Sequence, residues 1–175
     1  MNIILDIDET LITCKFNTYG VFANPIPRPH LKEFLEFLFT NCKNVSIWTH
    51  GTKEWYNIVY NKFLKDFLPQ GKSFHFVITR ETTIGNYNDI IEINKKLREI
   101  NADISSISLL KPLCVIYNKY QEQYNENNTF IIDDNPITYL LNKENAITIE
   151  PYNNIDNSDT ELLRIINLIK EKYFI

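Results

Sequence analysis

Short apolar runs that alternate with stretches of helical periodicity leave this chain few folds to adopt. Asn2–Ile7, Asn44–Thr49, Phe74–Thr79, Thr129–Asp133 and Ala146–Ile149 are each too short for a stable helix and carry Ile, Val, Phe or Trp, the pattern of buried strands. Between them the apolar residues recur at helical spacing. Leu31, Phe34, Leu35 and Leu38 share one face after Pro29, a favoured first-turn residue. Trp55, Val59, Phe63 and Phe67 do so within Lys53–Phe67, and Ile93, Leu97 and Ile100 within Asp89–Ile100. A short helix is expected at Pro136 and an amphipathic one over Asp159–Tyr173. Glu9–Ala23 has no clear periodicity, and Asn24–His30, with three prolines, reads as loop. Strand and helix alternate throughout, which predicts an α/β fold: one domain over residues 1–175, a central parallel sheet with helices on both faces.

The bulk properties narrow the classes of function. A formal charge of −4 gives no global attraction to nucleic acid or to an acidic membrane surface. No apolar run approaches the roughly 20 residues that span a bilayer, and the first residues lack the pattern of a secretory leader. Cys14, Cys42 and Cys114 form no CxxC or Cys/His cluster, and an odd count argues against a disulfide framework. The expectation is a soluble, intracellular protein. Abundant Asn, Ile and Lys with only four Gly read as the bias of an AT-rich genome, viral or parasitic.

In parallel sheets ligands bind beyond the carboxyl ends of the strands, so the residues after each strand carry the chemistry. The first strand ends in Asp6-Ile7-Asp8-Glu9-Thr10 and the second in Trp48-Thr49-His50-Gly51. The apolar run Ile107–Leu110 ends in Lys111, and the strand from Thr129 ends in Asp133-Asp134-Asn135-Pro136. Two acid clusters, a hydroxyl and a lysine therefore converge on one edge. This set suits phosphate-ester hydrolysis through a covalent intermediate. One carboxylate attacks phosphorus and a second protonates the leaving oxygen. Acids also hold Mg²⁺, while a hydroxyl and an ammonium hold the phosphoryl oxygens. By chance D-x-D-x-T occurs in about one chain in fifty of this length.

The order of these elements resembles the haloacid dehalogenase (HAD) superfamily. Asp6-Ile7-Asp8-Glu9-Thr10-Leu11, followed by Arg28-Pro29-His30-Leu31, resembles more narrowly its FCP/SCP group. That group is the NLI-interacting-factor-like phosphatases of the RNA polymerase II C-terminal domain (CTD) and their relatives. Ile47-Trp48-Thr49, Thr79-Arg80-Glu81-Thr82, Lys111-Pro112-Leu113 and Ile131-Ile132-Asp133-Asp134 stand where the group has its later motifs. The resemblance implies a single Rossmann-like HAD-type domain without a large cap. It implies Asp6 as nucleophile and Asp8 as general acid/base. Thr49, Lys111 and Arg80 would contact the substrate phosphate. Asp6, the Asp8 carbonyl, Asp133 and Asp134 would surround Mg²⁺. The implied partner is a phosphoserine or phosphothreonine protein. Two departures stand out: Tyr87–Ser108 reads as helical where the group has a small β insertion, and the stretch from Lys111 to Asp133 is longer than the group's.

Blander readings exist for each residue. Asp6 and Asp8 could cap a turn, Thr49 could be a strand-end residue, and Lys111 could be a solvated loop lysine, with Lys119 the alternative motif lysine. Arg80 reads equally as a substrate contact or a structural ion pair. His30, His50 and His75 lack the spacing of a metal site. Trp55 and its aromatic neighbours read as core or helix surface, and the Tyr117, Tyr120, Tyr124 run as helix packing. The same machinery also serves small-molecule or polynucleotide-end phosphatases, and a non-catalytic binding protein could keep the fold alone.

Overall fold

A computed structural model describes residues 1–16, 22–82, 85–102 and 104–173. Its centre is β1 (Asn2–Leu5), hydrogen-bonded on one side to β4 (Asn44–Trp48) and on the other to β6 (Thr129–Asp133). β5 (Val77–Ile78) and β7 (Ala146–Thr148) complete a five-stranded sheet in the order β5-β4-β1-β6-β7, every pair parallel. The chain winds outward through β4 and β5, then returns past β1 to β6 and β7. The point where this winding reverses is where ligands enter doubly wound sheets.

Side chains of the central strands alternate between two apolar layers, as a sheet covered on both faces requires. Ile3, Leu5, Val45, Ile47, Phe130 and Ile132 pack on one side with α1 (Leu31–Asn41) and α6 (Glu161–Tyr173). Ile4, Trp48 and Ile131 pack on the other with Leu113, Val115 and Ile116 of α5 (Leu113–Lys119). α1 buries Leu31, Phe34, Leu35 and Leu38 as its spacing predicts, and Phe39 as well, each fully buried side chain contributing about 2 kcal/mol. α2 (Lys53–Val59) runs through a π-helical turn, Tyr60–Leu64, into the short α3 (Lys65–Phe67). α4 (Tyr87–Glu99) starts at a capping box in which Asn86 and Asp89 satisfy each other's backbone N–H groups.

The fold class is as expected, while several local elements differ. Asn24–Pro27, expected as loop, belongs to β3 (Phe22–Pro27), antiparallel to β2 (Ile12–Phe16) in a separate two-stranded ribbon. Pro25 and Pro27 share one parity, so their missing N–H groups do not interrupt the ladder. Arg28, on the other parity, donates its N–H to the Leu11 carbonyl at 2.9 Å. The third sheet strand shortens to Val77–Ile78, and the apolar run before Lys111 lies, up to Leu109, in a 3₁₀ helix, Ile104–Leu109. Pro136 begins turns rather than a helix, and α5 has no counterpart in the periodicity reading. Among the described residues no helix is long and apolar enough to cross a membrane.

Candidate active site

Register sets the geometry. Leu5 lies opposite both Ile47 and Ile132, so Asp6 and Asp133 are level at the carboxyl edge and Thr49 follows one residue further on, just past β4. The Asp6 N–H continues the ladder to the Ile132 carbonyl at 3.0 Å, which fixes its side chain at the rim of the sheet.

Lys111 is the hub. Its Nζ lies 2.6 Å from Asp6 Oδ1 and 2.6 Å from Asp133 Oδ2, and all three side chains are buried. The lysine arrives on a loop rather than a strand end, held by its N–H to the Thr138 carbonyl. Burial would lower its pKa, but Asp6 and Asp133 more than offset this and raise it. Asp6 responds in the opposite sense: burial lifts its carboxyl to about 7 against the pull of Lys111, with Asp133 and Asp8 adding to the rise. Asp133 also accepts the Asn135 N–H at 2.9 Å, and Asp134 accepts from the Thr10 hydroxyl at 2.9 Å.

Asp8 is held differently. Its Oδ1 accepts the indole N–H of Trp55 at 2.7 Å, and its Oδ2 faces the Thr49 hydroxyl at 3.4 Å. Burial raises its pKa, and the bonds from Trp55 and Thr49 only partly counter it. Local sequence explains how Trp55 arrives there. Thr52 caps α2 by accepting the Trp55 N–H at 3.1 Å, and Glu81 accepts the Lys53 N–H at 2.8 Å, so the first turn of α2 is fixed beneath the site. Gly51 sits in the same turn. A Cβ there would lie 2.7 Å from Trp55 Cδ1 and 3.4 Å from Asp8 Oδ2, so only glycine lets the backbone pass.

Asp6, Asp8, Thr49, Lys111, Asp133 and Asp134 are thus brought to one edge. Arg80 stands at the rim, exposed, its Nε donating to the His50 carbonyl at 2.9 Å. Lys119 lies elsewhere, its Nζ 5.4 Å from the centre of the Tyr120 ring. Sequence reasoning missed Trp55, which reads as an ordinary helix aromatic until the cap at Thr52 is recognised. It also missed Thr10 as a partner of Asp134, although Thr10 stands within the first motif. Carboxylate oxygens of Asp6, Asp133 and Asp134 lie within 4.8 Å of one another, an all-oxygen set that fits a hard divalent cation.

The fold and this arrangement of motifs define the HAD-type α/β class. The particular family follows from the sequence: residues 1–173 match the model of the NLI interacting factor-like phosphatases, and the chain belongs to that family. It is similar to the ubiquitin-like domain-containing CTD phosphatase 1 of Xenopus tropicalis, 26% identical over 173 residues, covering 97% of this chain and 48% of the relative. The chain therefore spans about half the length of that relative. A CTD phosphatase-like protein of Invertebrate iridescent virus 6 is 22% identical over 190 residues, covering 96% of each. Among solved structures, that of Fcp1, an RNA polymerase II CTD phosphatase, superposes with a TM-score of 0.54 at 17% identity, over 98% of this chain and 50% of the other.

Proposed function

We propose that this chain is a Mg²⁺-dependent phosphomonoesterase that works through an aspartyl-phosphate, acting on phosphoserine or phosphothreonine in a protein. The observation that carries the reading is the buried Lys111 ammonium bridging Asp6 and Asp133 at 2.6 Å each. Two carboxylates on one cation are costly to bury, and a purely structural role is met more cheaply by apolar packing.

In this reading Lys111 occupies Asp6 Oδ1, which leaves Oδ2 as the attacking atom. Oδ2 forms a bond to phosphorus as the ester oxygen leaves with the bonding pair. The Asp8 carboxyl, kept protonated longer than an exposed acid by its burial, gives that oxygen its proton. Asp8 then takes a proton from the water that hydrolyses the acyl phosphate, which returns Asp6 to its carboxylate. Lys111 and the Thr49 hydroxyl hold the phosphoryl oxygens as charge moves outward. Asp6, Asp133 and Asp134 with the Asp8 carbonyl would hold Mg²⁺, which when bound offsets the repulsion between an anionic nucleophile and an anionic ester. The protein-substrate half of the proposal is supported by the names of the CTD phosphatase relatives.

The test is hydrolysis of p-nitrophenyl phosphate with Mg²⁺ and with EDTA, for wild type, Asp6→Asn and Asp8→Asn. Turnover that needs the metal and is lost in both variants is the expected result. A well-folded wild type with neither turnover nor Mg²⁺ binding would leave only a binding role for the fold.

A further inference from the structure

Two buried donors outside the acid cluster have no acceptor. They belong to a cavity of about 330 Å³ walled by α4, α5 and the segment before β7, at the lower end of the size range of ligand clefts. Tyr117 and Asn142 line it, and the Tyr117 hydroxyl and the Asn142 side-chain nitrogen are both buried without a hydrogen-bond partner among the described residues. A buried donor left unpaired destabilises a fold, and two in one cavity call for a cause.

The Asn142 amide cannot be reversed to hide its donor. Its Oδ1 accepts the Leu113 N–H at 3.2 Å, and a flip would set N–H against N–H. Asn145, in the same cavity lining, shows the ordinary outcome: its Nδ2 donates to the carbonyls of Glu126 and Thr129 at 2.6 and 2.9 Å. The Tyr117 phenol stays a donor, since burial pushes its pKa up and Glu126 and Cys114 add to the rise. The charged groups of the lining are Glu92, Glu126 and Glu144 against Lys96 and Lys143. Lys96 is already paired with Glu92 at 2.8 Å, while Glu126, Lys143 and Glu144 stand exposed.

We propose that this cavity is a binding site for a small amine that carries an uncharged carbonyl, the carbonyl toward Asn142 and Tyr117 and the ammonium toward Glu126 and Glu144. The group that meets Asn142 must be an acceptor, because an amide nitrogen can only donate. A neutral carbonyl suits two neutral donors. A carboxylate or phosphate would be desolvated there with Lys96 already engaged. The excess of carboxylates in the lining favours a cation at the mouth and opposes an anion. The cavity also adjoins the loop that carries Lys111, since Pro112 and Leu113 line it. The Thr138 carbonyl accepts the Lys111 N–H at 2.6 Å and Asn142 Oδ1 accepts that of Leu113, so one short segment grips this loop at both ends. Occupation of the cavity is therefore felt first at Leu113. The assignment does not depend on the phosphomonoesterase reading.

The test is a titration followed by ¹H–¹⁵N NMR, which reads the Leu113 amide and the Asn142 side-chain NH₂ separately. The probe is 4-aminobutyramide. Its controls are butyramide, which lacks the ammonium, 4-aminobutyrate, which has a carboxylate in place of the amide, and inorganic phosphate. 4-Aminobutyramide should shift both signals saturably. Butyramide should bind about threefold more weakly and 4-aminobutyrate about tenfold more weakly, and phosphate should leave both signals unmoved. Asn142→Asp keeps the acceptor for Leu113 and replaces the donor, so it should abolish the Leu113 response. Tyr117→Phe should lower affinity for 4-aminobutyramide about tenfold, while its urea midpoint equals or exceeds that of wild type because the unpaired hydroxyl is gone. A tyrosine with a structural role only would do the reverse. Signals that stay still with 4-aminobutyramide, a carboxylate or phosphate that binds as tightly, or unchanged affinity in Tyr117→Phe overturns the assignment.

Discussion

Two sets of buried opposite charges meet at Thr10 and are tuned in opposite directions. Arg28 gives Asp159 a bidentate pair, Nε to Oδ1 at 2.9 Å and Nη2 to Oδ2 at 2.8 Å. It gives its Nη1 to the Thr10 carbonyl at 3.2 Å and lies 5.2 Å from the centre of the Tyr152 ring. One cation serves one acid. Burial pushes the Asp159 carboxyl up, but the bonds and charge of Arg28 together with the Glu161 N–H hold the acid below the usual range. Lys111 must serve two acids, and burial, with Asp133 and Asp8 adding to it, lifts Asp6 to about 7 against the pull of the lysine. The first set is complete; the second keeps an excess of negative charge that a further cation or a proton would relieve. The Thr10 hydroxyl bonds Asp134 while its carbonyl accepts from Arg28, so the completed set anchors the turn that carries the proposed reactive one.

Removing each cation tests that contrast most severely. Lys111→Ala leaves Asp6 and Asp133 facing each other without a counter-charge. It should cost about 3–5 kcal/mol in urea unfolding of the metal-free protein and lower turnover on the order of a thousandfold. A midpoint equal to wild type would mean that the two acids do not depend on the lysine in solution. Arg28→Met should cost about 3 kcal/mol, less because Asp159 reaches solvent at one side. At a temperature where the variant is folded, its turnover should stay far closer to wild type than that of Lys111→Ala. If the two variants lose turnover equally, the division into an anchoring and a reactive set fails.

The contrast also explains what could be read from the sequence and what could not. β1, β4 and β6 were legible because a parallel sheet buried on both faces needs unbroken apolar runs, and their ends carry Asp6, Thr49 and Asp133 directly. The β2–β3 ribbon was not, because proline is a break signal that loses its force in a two-stranded ribbon with both edges open. Lys111 was legible by order along the chain, but the run before it is a 3₁₀ turn, so its delivery to Asp6 depends on the Thr138 contact. The Arg28–Asp159 pair joins residues 131 positions apart, and no local period encodes such a pair. Trp55 was hidden for another reason: its indole N–H matters only because the Thr52 cap rotates it toward Asp8.

Trp55 sharpens the comparison, since it holds Asp8 with a neutral donor rather than a cation. Trp55→Phe removes the N–H and keeps most of the ring. A hydrogen bond to a carboxyl in this setting is worth about 2 kcal/mol, or about thirtyfold in rate. On the proposed mechanism the loss should appear with an alkyl phosphate, whose leaving oxygen would take the Asp8 proton. It should be much smaller with p-nitrophenyl phosphate, whose leaving group does not. An equal loss on both would make Trp55 a packing residue only.

The smallest effect reads what burial and the neighbouring acids together do to Asp6. Asp6 has a folded pKa of about 7, above the value of 3.8 that an unperturbed aspartate has. Between those limits the folded protein binds more protons than the unfolded chain, so this group's contribution to stability falls as pH rises through the window. Asn mimics the protonated acid and carries no such slope. In EDTA, Asp6→Asn should therefore gain about 1 kcal/mol on wild type between pH 6 and pH 8, a window centred on the folded pKa, which already includes the attraction to Lys111. Asp159 runs the other way. Its depressed pKa stabilises the fold above the ordinary carboxylate range and gives way only as acid protonates it, so the deficit of Arg28→Met should stay flat from pH 5 to pH 8. Mg²⁺ added to wild type at the upper end should remove the advantage of Asp6→Asn, because the metal supplies the positive charge the site lacks. An advantage that is equally large at both pH values would place the origin of the Asp6 effect in packing rather than charge.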